Sequence, residues 1–219
     1  MFRKALWIPI VIAACAVHVG ASPATAAPTP GTAVAAIAAD LPPADPGFGF
    51  GARQVTAQTP PRLYGPYNIR AQNSGKCLDI AGGPGAQRDG DPAVIWDCLG
   101  RDQGNQLWFF RTTDEQYVYT LHVWHSNKCL DIAGGTGAHS DGDRAQQWTC
   151  LGPAQTNQKW RLYGYSVDDR TIHRLVAVHS GKCLDVAGGV GTVSNGTIVH
   201  QWTCLGDHQT NQRWYLTTP

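Results

Sequence analysis

The chain has 219 residues, of which 42% are hydrophobic and 15% charged, and its formal net charge is +1. This length allows one domain of ordinary size with extensions. Residues 62–219 contain 14 Lys plus Arg and 14 Asp plus Glu, so their net charge is zero; because nucleic acids and anionic lipids are held by clustered positive charge, this balance argues against both and favours a neutral partner.

The N-terminal segment, residues 1–26, has the pattern of a secretory signal peptide. Two basic residues precede an apolar run over residues 5–17, and Ala-Thr-Ala at residues 24–26 supplies small residues for cleavage. The run is too short to span a bilayer. We therefore expect secretion, with lipid attachment through Cys15 in a lipoprotein-like signal as the alternative.

Residues 27–61 are rich in Ala, Pro, Gly and Thr. Such a composition cannot bury enough apolar surface to offset the entropy lost on ordering. The sequence therefore predicts a flexible linker between the leader and a folded domain over residues 62–219.

One pattern occurs three times in that domain: Cys-Leu-Asp-Ile/Val-Ala-Gly-Gly, then Trp-x-Cys-Leu-Gly, then Asn-Gln-x-Trp. The copies are 52 and 54 residues apart and define repeats at about 62–112, 113–166 and 167–219. A period near fifty indicates one supersecondary unit that cannot bury its apolar face alone. Three such units should pack on one another.

The repeats carry strand signals and no amphipathic helix. Alternating segments such as Ile69-x-Ala71 precede each Cys-Leu-Asp, and turn-forming residues separate them. Asp89-Gly90, Asp141-Gly142 and Asn195-Gly196 are typical of hairpin turns. Calcium is the alternative for these acidic segments, but the regular series of oxygen ligands ending in Glu is missing. The predicted fold class is all-β.

Each repeat has two cysteines 21 positions apart, and loss of Cys15 with the leader leaves six. An even number in an exported chain indicates disulfides. The economical pairing, among 15 possible, is Cys77–Cys98, Cys129–Cys150 and Cys183–Cys204. Zinc is the alternative, but a zinc site needs four ligands at short spacing.

Strand alternation assigns the faces of the Cys-Leu-Asp segment. Leu78 and Ile80 point one way, so Asp79 points the other way, beside its cysteine. If Cys77 and Cys98 are bonded, Asp79 and Trp96 come together, and we expect both on the solvent side.

The same alternation applied to Asn-Gln-x-Trp separates its side chains into two groups. It puts Trp108 in the core with Gln106 on the same side and Asn105 outward. The glutamine is expected to satisfy buried backbone groups or to brace the neighbouring Asp. An outward Asp, Asn and Trp in each repeat would suit a neutral sugar, because an indole covers the C–H side of a pyranose while the polar groups bond its hydroxyls.

Three repeats of Cys-Leu-Asp, Trp-x-Cys and Gln-x-Trp resemble the ricin-type β-trefoil lectins and the related family-13 carbohydrate-binding modules. The resemblance covers roughly residues 62–219. It implies a trefoil of twelve strands with pseudo-threefold symmetry and three sugar sites, α, β and γ, often for galactose-like sugars or xylan. The site residues that it implies are Asp79, Trp96 and Asn105 for α, Asp131, Trp148 and Asn157 for β, and Asp185, Trp202 and Asn211 for γ.

The family often has a polar residue two positions before the site aromatic. That position holds Val94 in α, Gln146 in β and His200 in γ. We therefore expect the β and γ sites to bind more strongly than α, so that Asp131→Ala and Asp185→Ala weaken binding more than Asp79→Ala. The loop after each Asp is longer than in many members, which leaves the sugar undetermined.

An enzyme is the less favoured alternative. A glycosidase needs two carboxylates in unlike environments, whereas the domain has one Glu, Glu115, and its prominent Asp residues sit at equivalent stations. We expect no catalytic residue, metal or cofactor, and a monomer that binds glycan, alone or with a separate enzyme chain. A non-lectin trefoil, such as an inhibitor or receptor ligand, is the other alternative.

Overall fold

The computed structural model describes residues 61–167 and 170–219. The predicted signal peptide, Cys15 and the predicted linker up to residue 60 lie outside the described residues. Among the described residues, no helix has the length and apolar character needed to cross a membrane.

The described residues form twelve strands and five short 3-10 turns, which confirms the predicted all-β class. The strands are β1 (Leu63–Ala71), β2 (Cys77–Ile80), β3 (Ala93–Trp96), β4 (Trp108–Thr112), β5 (Val118–Val123), β6 (Cys129–Ile132), β7 (Ala145–Trp148), β8 (Lys159–Val167), β9 (Arg170–Ala177), β10 (Cys183–Val186), β11 (Thr197–Trp202) and β12 (Trp214–Thr217).

Each repeat contributes four strands. The outer two of each set pair around a closed ring, in the order β1, β4, β5, β8, β9, β12 and back to β1. The inner two form a hairpin, β2–β3, β6–β7 or β10–β11, in the same register in every repeat. A ring that closes on itself leaves no free strand edge. A six-stranded barrel carrying three hairpins is the β-trefoil that the sequence resemblance implied.

The last tryptophan of each repeat belongs to the core, as predicted. All three are fully buried, and each indole N–H donates to the carbonyl of the leucine in its own Cys-Leu-Asp segment. The pairs are Trp108 with Leu78 at 2.9 Å, Trp160 with Leu130 at 3.0 Å and Trp214 with Leu184 at 3.0 Å. Each tryptophan therefore fixes the hairpin of its repeat to the barrel.

The cysteines pair within repeats, as Cys77–Cys98, Cys129–Cys150 and Cys183–Cys204. The predicted pairing is confirmed. Each bond joins the start of one hairpin strand to the segment just beyond the other strand, so it holds the two ends of the hairpin together.

The turns predicted at Asp-Gly and Asn-Gly also join neighbouring repeats. Gly90 has a φ of +89°, a left-handed conformation that favours glycine. Asp89 beside it accepts a hydrogen bond from the Thr149 backbone N–H at 2.8 Å and pairs with Lys128 at 2.7 Å. Asp141, Thr203 and Lys182 repeat this joint between the second and third repeats.

The third contact of this kind, between the third and first repeats, has its carboxylate at the other position. Asn195 occupies the station of Asp89 and accepts from the backbone N–H of Asp97 at 3.0 Å. Asp97 occupies the station of Thr149 and pairs with Lys76. The lysine therefore has a carboxylate partner at all three contacts between repeats. Lys128 and Lys182 pair with an Asp of the preceding repeat, whereas Lys76 pairs with Asp97 of its own repeat.

Candidate functional site

Each repeat places the predicted site residues between its hairpin and a 3-10 turn. In the third repeat Asp185 lies on β10, and His200 and Trp202 lie on β11. Asn211 lies in the 3-10 turn Thr210–Gln212. Antiparallel pairing sets Asp185 directly opposite His200. The hairpin and the turn thus bring residues 26 positions apart to one place.

Asp185 is at the centre of this arrangement, and we call the aspartate of each repeat, with the Asn and Gln side chains that donate to it, the hub. Asn211 Nδ2 and Gln212 Nε2 donate to the same oxygen, Asp185 Oδ2, at 2.9 and 2.8 Å. Gln212 also donates to the Thr203 carbonyl and accepts from the Leu205 N–H. The glutamine therefore both satisfies buried backbone groups and braces the Asp, the two roles that the sequence suggested.

The other two repeats reproduce the hub. Asp79 Oδ2 accepts from Asn105 at 2.9 Å and from Gln106 at 2.7 Å. Asp131 Oδ2 accepts from Asn157 at 2.7 Å and from Gln158 at 3.0 Å.

The prediction that Asp and Asn face solvent is wrong. Asp79, Asp131 and Asp185 are only 5, 3 and 4% exposed, and Asn105, Asn157 and Asn211 are each 2% exposed. The Asn-Gln segment is a 3-10 turn and not a strand, so strand alternation does not apply and both amides converge on one carboxylate. That turn covers the face of the hairpin opposite the core.

The other carboxylate oxygen distinguishes the three repeats. His200 Nε2 lies 2.9 Å from Asp185 Oδ1, and Gln146 Nε2 donates to Asp131 Oδ1 at 2.9 Å. The corresponding residue in the first repeat is Val94, which faces Asp79 across the hairpin and has no hydrogen-bonding group. The polar residue of the second and third sites thus orients the carboxylate.

Burial changes the protonation chemistry of the hub aspartate in the first and second repeats. It raises the pKa of Asp79 to about 6, against the opposing effect of hydrogen bonds from Gln106 and Asn105. Burial also raises the pKa of Asp131, and there three donors oppose it, led by Gln146. Desolvation disfavours the charged carboxylate, whereas hydrogen bonds to it favour ionisation.

We predict that Asp79 makes the fold less stable as pH rises from 4 to 7. The pKa of Asp79 is higher in the folded state than in the unfolded state. Its contribution to the free energy of unfolding is therefore greatest below the unfolded-state pKa near 3.8 and is lost as pH rises through about 6. The loss is on the order of 2 kcal/mol.

The Asp79→Asn variant isolates this effect because asparagine does not titrate. Denaturant unfolding at pH 4 and pH 7 should show that the free energy of unfolding of the wild type, relative to the variant, falls between the two values. An unchanged difference would contradict the raised pKa.

The third repeat forms a pocket of about 260 Å³ around its hub. Four predicted site residues line it: Asp185, His200, Trp202 and Asn211. Trp202 is 38% exposed and stacks on His200, with ring centroids 5.4 Å apart. Its counterpart in the first repeat, Trp96, is 40% exposed, whereas Trp148 of the second repeat is only partly exposed. All three site tryptophans are thus more exposed than the core tryptophans.

Four further residues line the same pocket and were missed from the sequence: Gly188, Gly189, Leu205 and Gln209. Leu205 is 40% exposed beside an open tryptophan. Leu and Gln recur at these stations as Leu99 and Leu151, and as Gln103 and Gln155. That repetition is the signal in the sequence that marks these positions.

Each site asparagine leaves its amide oxygen buried without a hydrogen-bond partner. Buried polar atoms are nearly always paired in folded proteins. The same unpaired atom at Asn105, Asn157 and Asn211 is therefore a property of the repeated site and not an accident of one loop.

Two other features of the described residues do not form a comparable site. A pocket of about 360 Å³ in the loop at residues 81–91 has no aromatic wall, and its charged residues Arg88 and Asp91 contact each other at 3.6 Å. The atoms of His122, Cys129 and Cys150 lie close enough to hold a metal. However, the two sulfurs form a disulfide, so they are not the thiolates that bind metals.

The fold and the repeated hubs define a β-trefoil with one buried polar hub in each repeat. A model of the family described as ricin-type beta-trefoil lectin domain-like matches residues 55–152 and 156–219, and the chain belongs to this family. No curated protein matches the sequence significantly.

Solved structures share the fold. A designed threefold-symmetric protein, ThreeFoil, is 33% identical with a TM-score of 0.59, and the match covers 70% of this chain and 98% of that one. An exo-beta-1,3-galactanase from Clostridium thermocellum is 25% identical with a TM-score of 0.58, covering 70% of this chain and 30% of the galactanase. The Polyporus squamosus lectin, solved with a sialylated trisaccharide, is 20% identical with a TM-score of 0.55, covering 70% of this chain and 49% of the lectin.

Proposed function

We propose that this protein is a secreted, non-catalytic lectin that binds neutral glycans, such as galactose-type sugars or xylan, through up to three sites. The observation that carries the proposal is the pocket of the third repeat, which is lined by the exposed Trp202 and by the buried Asp185. A carboxylate accepts hydrogen bonds from sugar hydroxyls, and an indole face covers the C–H side of the ring. Three disulfides and the predicted leader support secretion, since disulfides persist in oxidising compartments.

The pocket favours binding over catalysis. Glycoside hydrolysis uses two carboxyl groups about 5 to 9.5 Å apart, whereas Asp185 is the only acidic residue among the described residues that line the pocket. Its Oδ2 already accepts two hydrogen bonds from buried amides. The aspartate is thus fixed in place as an acceptor, without a second acid to share the chemistry.

Weak individual sites would act together. A pocket of about 260 Å³ is smaller than the ~300 Å³ at the lower end for drug-sized ligands, so it suits one sugar residue. Linked sites raise the overall affinity for a polyvalent glycan through effective concentration. We expect monosaccharides to bind in the millimolar range, about −4 kcal/mol.

A glycan panel tests the proposal. Immobilised galactose, lactose and xylan should retain the purified chain, and free sugar should release it. A failure to bind across a broad panel would favour the alternative, a non-lectin trefoil that acts as an inhibitor or receptor ligand. The galactanase similarity supports including β-1,3-linked galactose oligosaccharides among the probes.

Exchanging the residue opposite the hub should redistribute affinity among the sites. Gln146→Val removes the donor to Asp131 Oδ1 and is expected to weaken the β site about fivefold, the effect of one hydrogen bond of about 1 kcal/mol. The reciprocal change, Val94→Gln, should strengthen the α site. Site-resolved NMR titration of the Trp148 and Trp96 indole signals with galactose or xylose measures both.

These exchanges test the ranking of β and γ above α more cleanly than removal of an aspartate does, because the aspartates also hold the fold together. Equal affinities at Trp96 and Trp148 in the wild type, or no change at Trp148 in Gln146→Val, would refute the ranking.

A further inference from the structure

A surface aromatic pair, Trp124 and Phe109, lies outside the hubs described above. Trp124 is in the loop between β5 and β6 and is 55% exposed, more than any other described tryptophan. Its ring stacks on Phe109 of β4, with centroids 5.2 Å apart and an interplanar angle of 22°. The stack holds the indole in one orientation, so the pair presents a rigid apolar surface to solvent.

Trp124 adjoins the first site through Gly104. A side chain at residue 104 would place its Cβ 3.2 Å from Trp124 Cδ1, so the indole packs directly against this glycine. Gly104 stands between Gln103, whose counterpart Gln209 lines the pocket of the third repeat, and Asn105, which donates to Asp79. The aromatic surface is therefore continuous with the turn that forms one side of the first site.

The backbone fixes this contact. The Trp124 N–H donates to the Leu107 carbonyl at 2.8 Å, and the His125 N–H donates to the Gly104 carbonyl at 3.4 Å. The position of the indole is thus set by the fold of the loop and not only by side-chain packing.

The other two repeats lack this surface. Trp124 is replaced by Val178 and Gln72, and Gly104 by Thr156 and Thr210. His125 also contacts Gly104, but its counterpart His179 follows the turn that has Thr156 in place of Gly104, so a histidine at that position does not require a glycine in the turn. The absence of a side chain at residue 104 therefore makes room for the Trp124 indole.

The first site also differs in the residue opposite its aspartate. Val94 lies opposite Asp79, whereas polar residues, Gln146 and His200, lie opposite the aspartates of the second and third sites. The repeat with the poorest hydrogen bonding to its carboxylate thus has the largest exposed aromatic surface beside it. Both differences shift recognition from polar groups toward apolar ring faces.

We propose that Trp124, supported by Phe109, is a second sugar subsite that takes the pyranose residue next to the one held in the α site. The inference rests on the proposed function, since it assigns an oligosaccharide to one of the proposed sugar sites. An exposed indole can cover the C–H face of a neutral pyranose. Because Trp124 already stacks on Phe109, its side chain loses little conformational entropy when a sugar binds.

The test uses a chain in which only the first site keeps its open tryptophan, the Trp148→Ala, Trp202→Ala parent. Calorimetry compares galactose with β-1,3-galactotriose, and xylose with xylotriose. In the parent, one trisaccharide should bind about tenfold more tightly than its monosaccharide. Trp124→Val, which introduces the residue of the third repeat, should remove most of this gain and leave the monosaccharide within twofold. Trp124→Phe, which keeps an aromatic face, should retain most of the gain.

Two results would overturn the subsite while leaving the α site intact: an unchanged trisaccharide affinity in Trp124→Val, or an equal loss for monosaccharide and trisaccharide at an unchanged melting temperature. A folded parent that binds none of the four sugars would instead refute sugar binding at the α site, and the subsite with it.

Discussion

Replacing Trp214 with alanine is expected to lower the free energy of unfolding by about 4 kcal/mol, the usual cost of removing a large aromatic side chain from a core. The side chain is completely buried, and its indole N–H is the donor to the Leu184 carbonyl. Alanine would leave a cavity and an unpaired carbonyl at the point where the third hairpin meets the barrel. Denaturant unfolding followed by circular dichroism measures the change.

Trp202→Ala is the matched control, because it removes the same side chain twelve positions earlier in the same repeat. Trp202 is 38% exposed and lines the pocket, so its loss should cost less than about 1 kcal/mol of stability. The same variant should weaken sugar binding at the γ site at least tenfold. Comparable destabilisation by the two substitutions would contradict the division of the repeated tryptophans into core and site residues.

The core position of the last tryptophan in each repeat was predictable from the sequence, and so was most of the fold. The period near fifty, the alternating segments and the paired cysteines predicted three all-β units and their disulfides. The Asn-Gln-x-Trp segment predicted the core position of Trp108. These features are local or repeated, so one reading of the pattern applies to all copies. Symmetry therefore repeats a correct inference, and equally a wrong one, in all three copies.

The exposure of the hub was not predictable in the same way. Alternation holds only where the backbone is extended, and Asn105-Gln106 lies in a 3-10 turn that folds over Asp79. Nothing in the period-two pattern distinguishes an aspartate that faces solvent from one that is covered by a turn 26 residues later. The covering turn is a tertiary contact, and it converts an expected surface carboxylate into a buried hub.

The contacts between repeats were missed for a related reason. The sequence predicts only a turn at Asp89, because its partners Thr149 and Lys128 lie 60 and 39 residues away. The signal in the sequence is the third joint: the other two pair an Asp with a Thr, whereas this one pairs Asn195 with Asp97, so the carboxylate has moved to the other position. The lysine is at the same position in every repeat, whereas the acidic residue is at one of two positions. This pattern indicates that the two positions are close in space.

The hub aspartate connects the fold to the site, and its removal should affect both. Asp185→Ala deletes the oxygen that accepts from Asn211 and Gln212 and is expected to cost about 3 kcal/mol, because two buried amides each lose a charged acceptor. Each amide keeps one backbone acceptor, Val186 for Asn211 and Thr203 for Gln212, so the domain should remain folded. Sugar binding at the γ site should fall below detection.

Asp185→Asn separates the two roles. Its amide oxygen can still accept from Asn211 and Gln212, while its amide nitrogen takes the place of the oxygen beside His200, whose imidazole can act as an acceptor in one tautomer. We expect a stability loss of about 1 kcal/mol and still a loss of sugar binding, because the site has exchanged an acceptor for a donor. Thermal unfolding and site-resolved titration at Trp202 measure the two effects on one sample. If Asp185→Asn binds sugar as well as the wild type does, the carboxylate serves the fold alone, and recognition must come from Trp202 and the pocket rim.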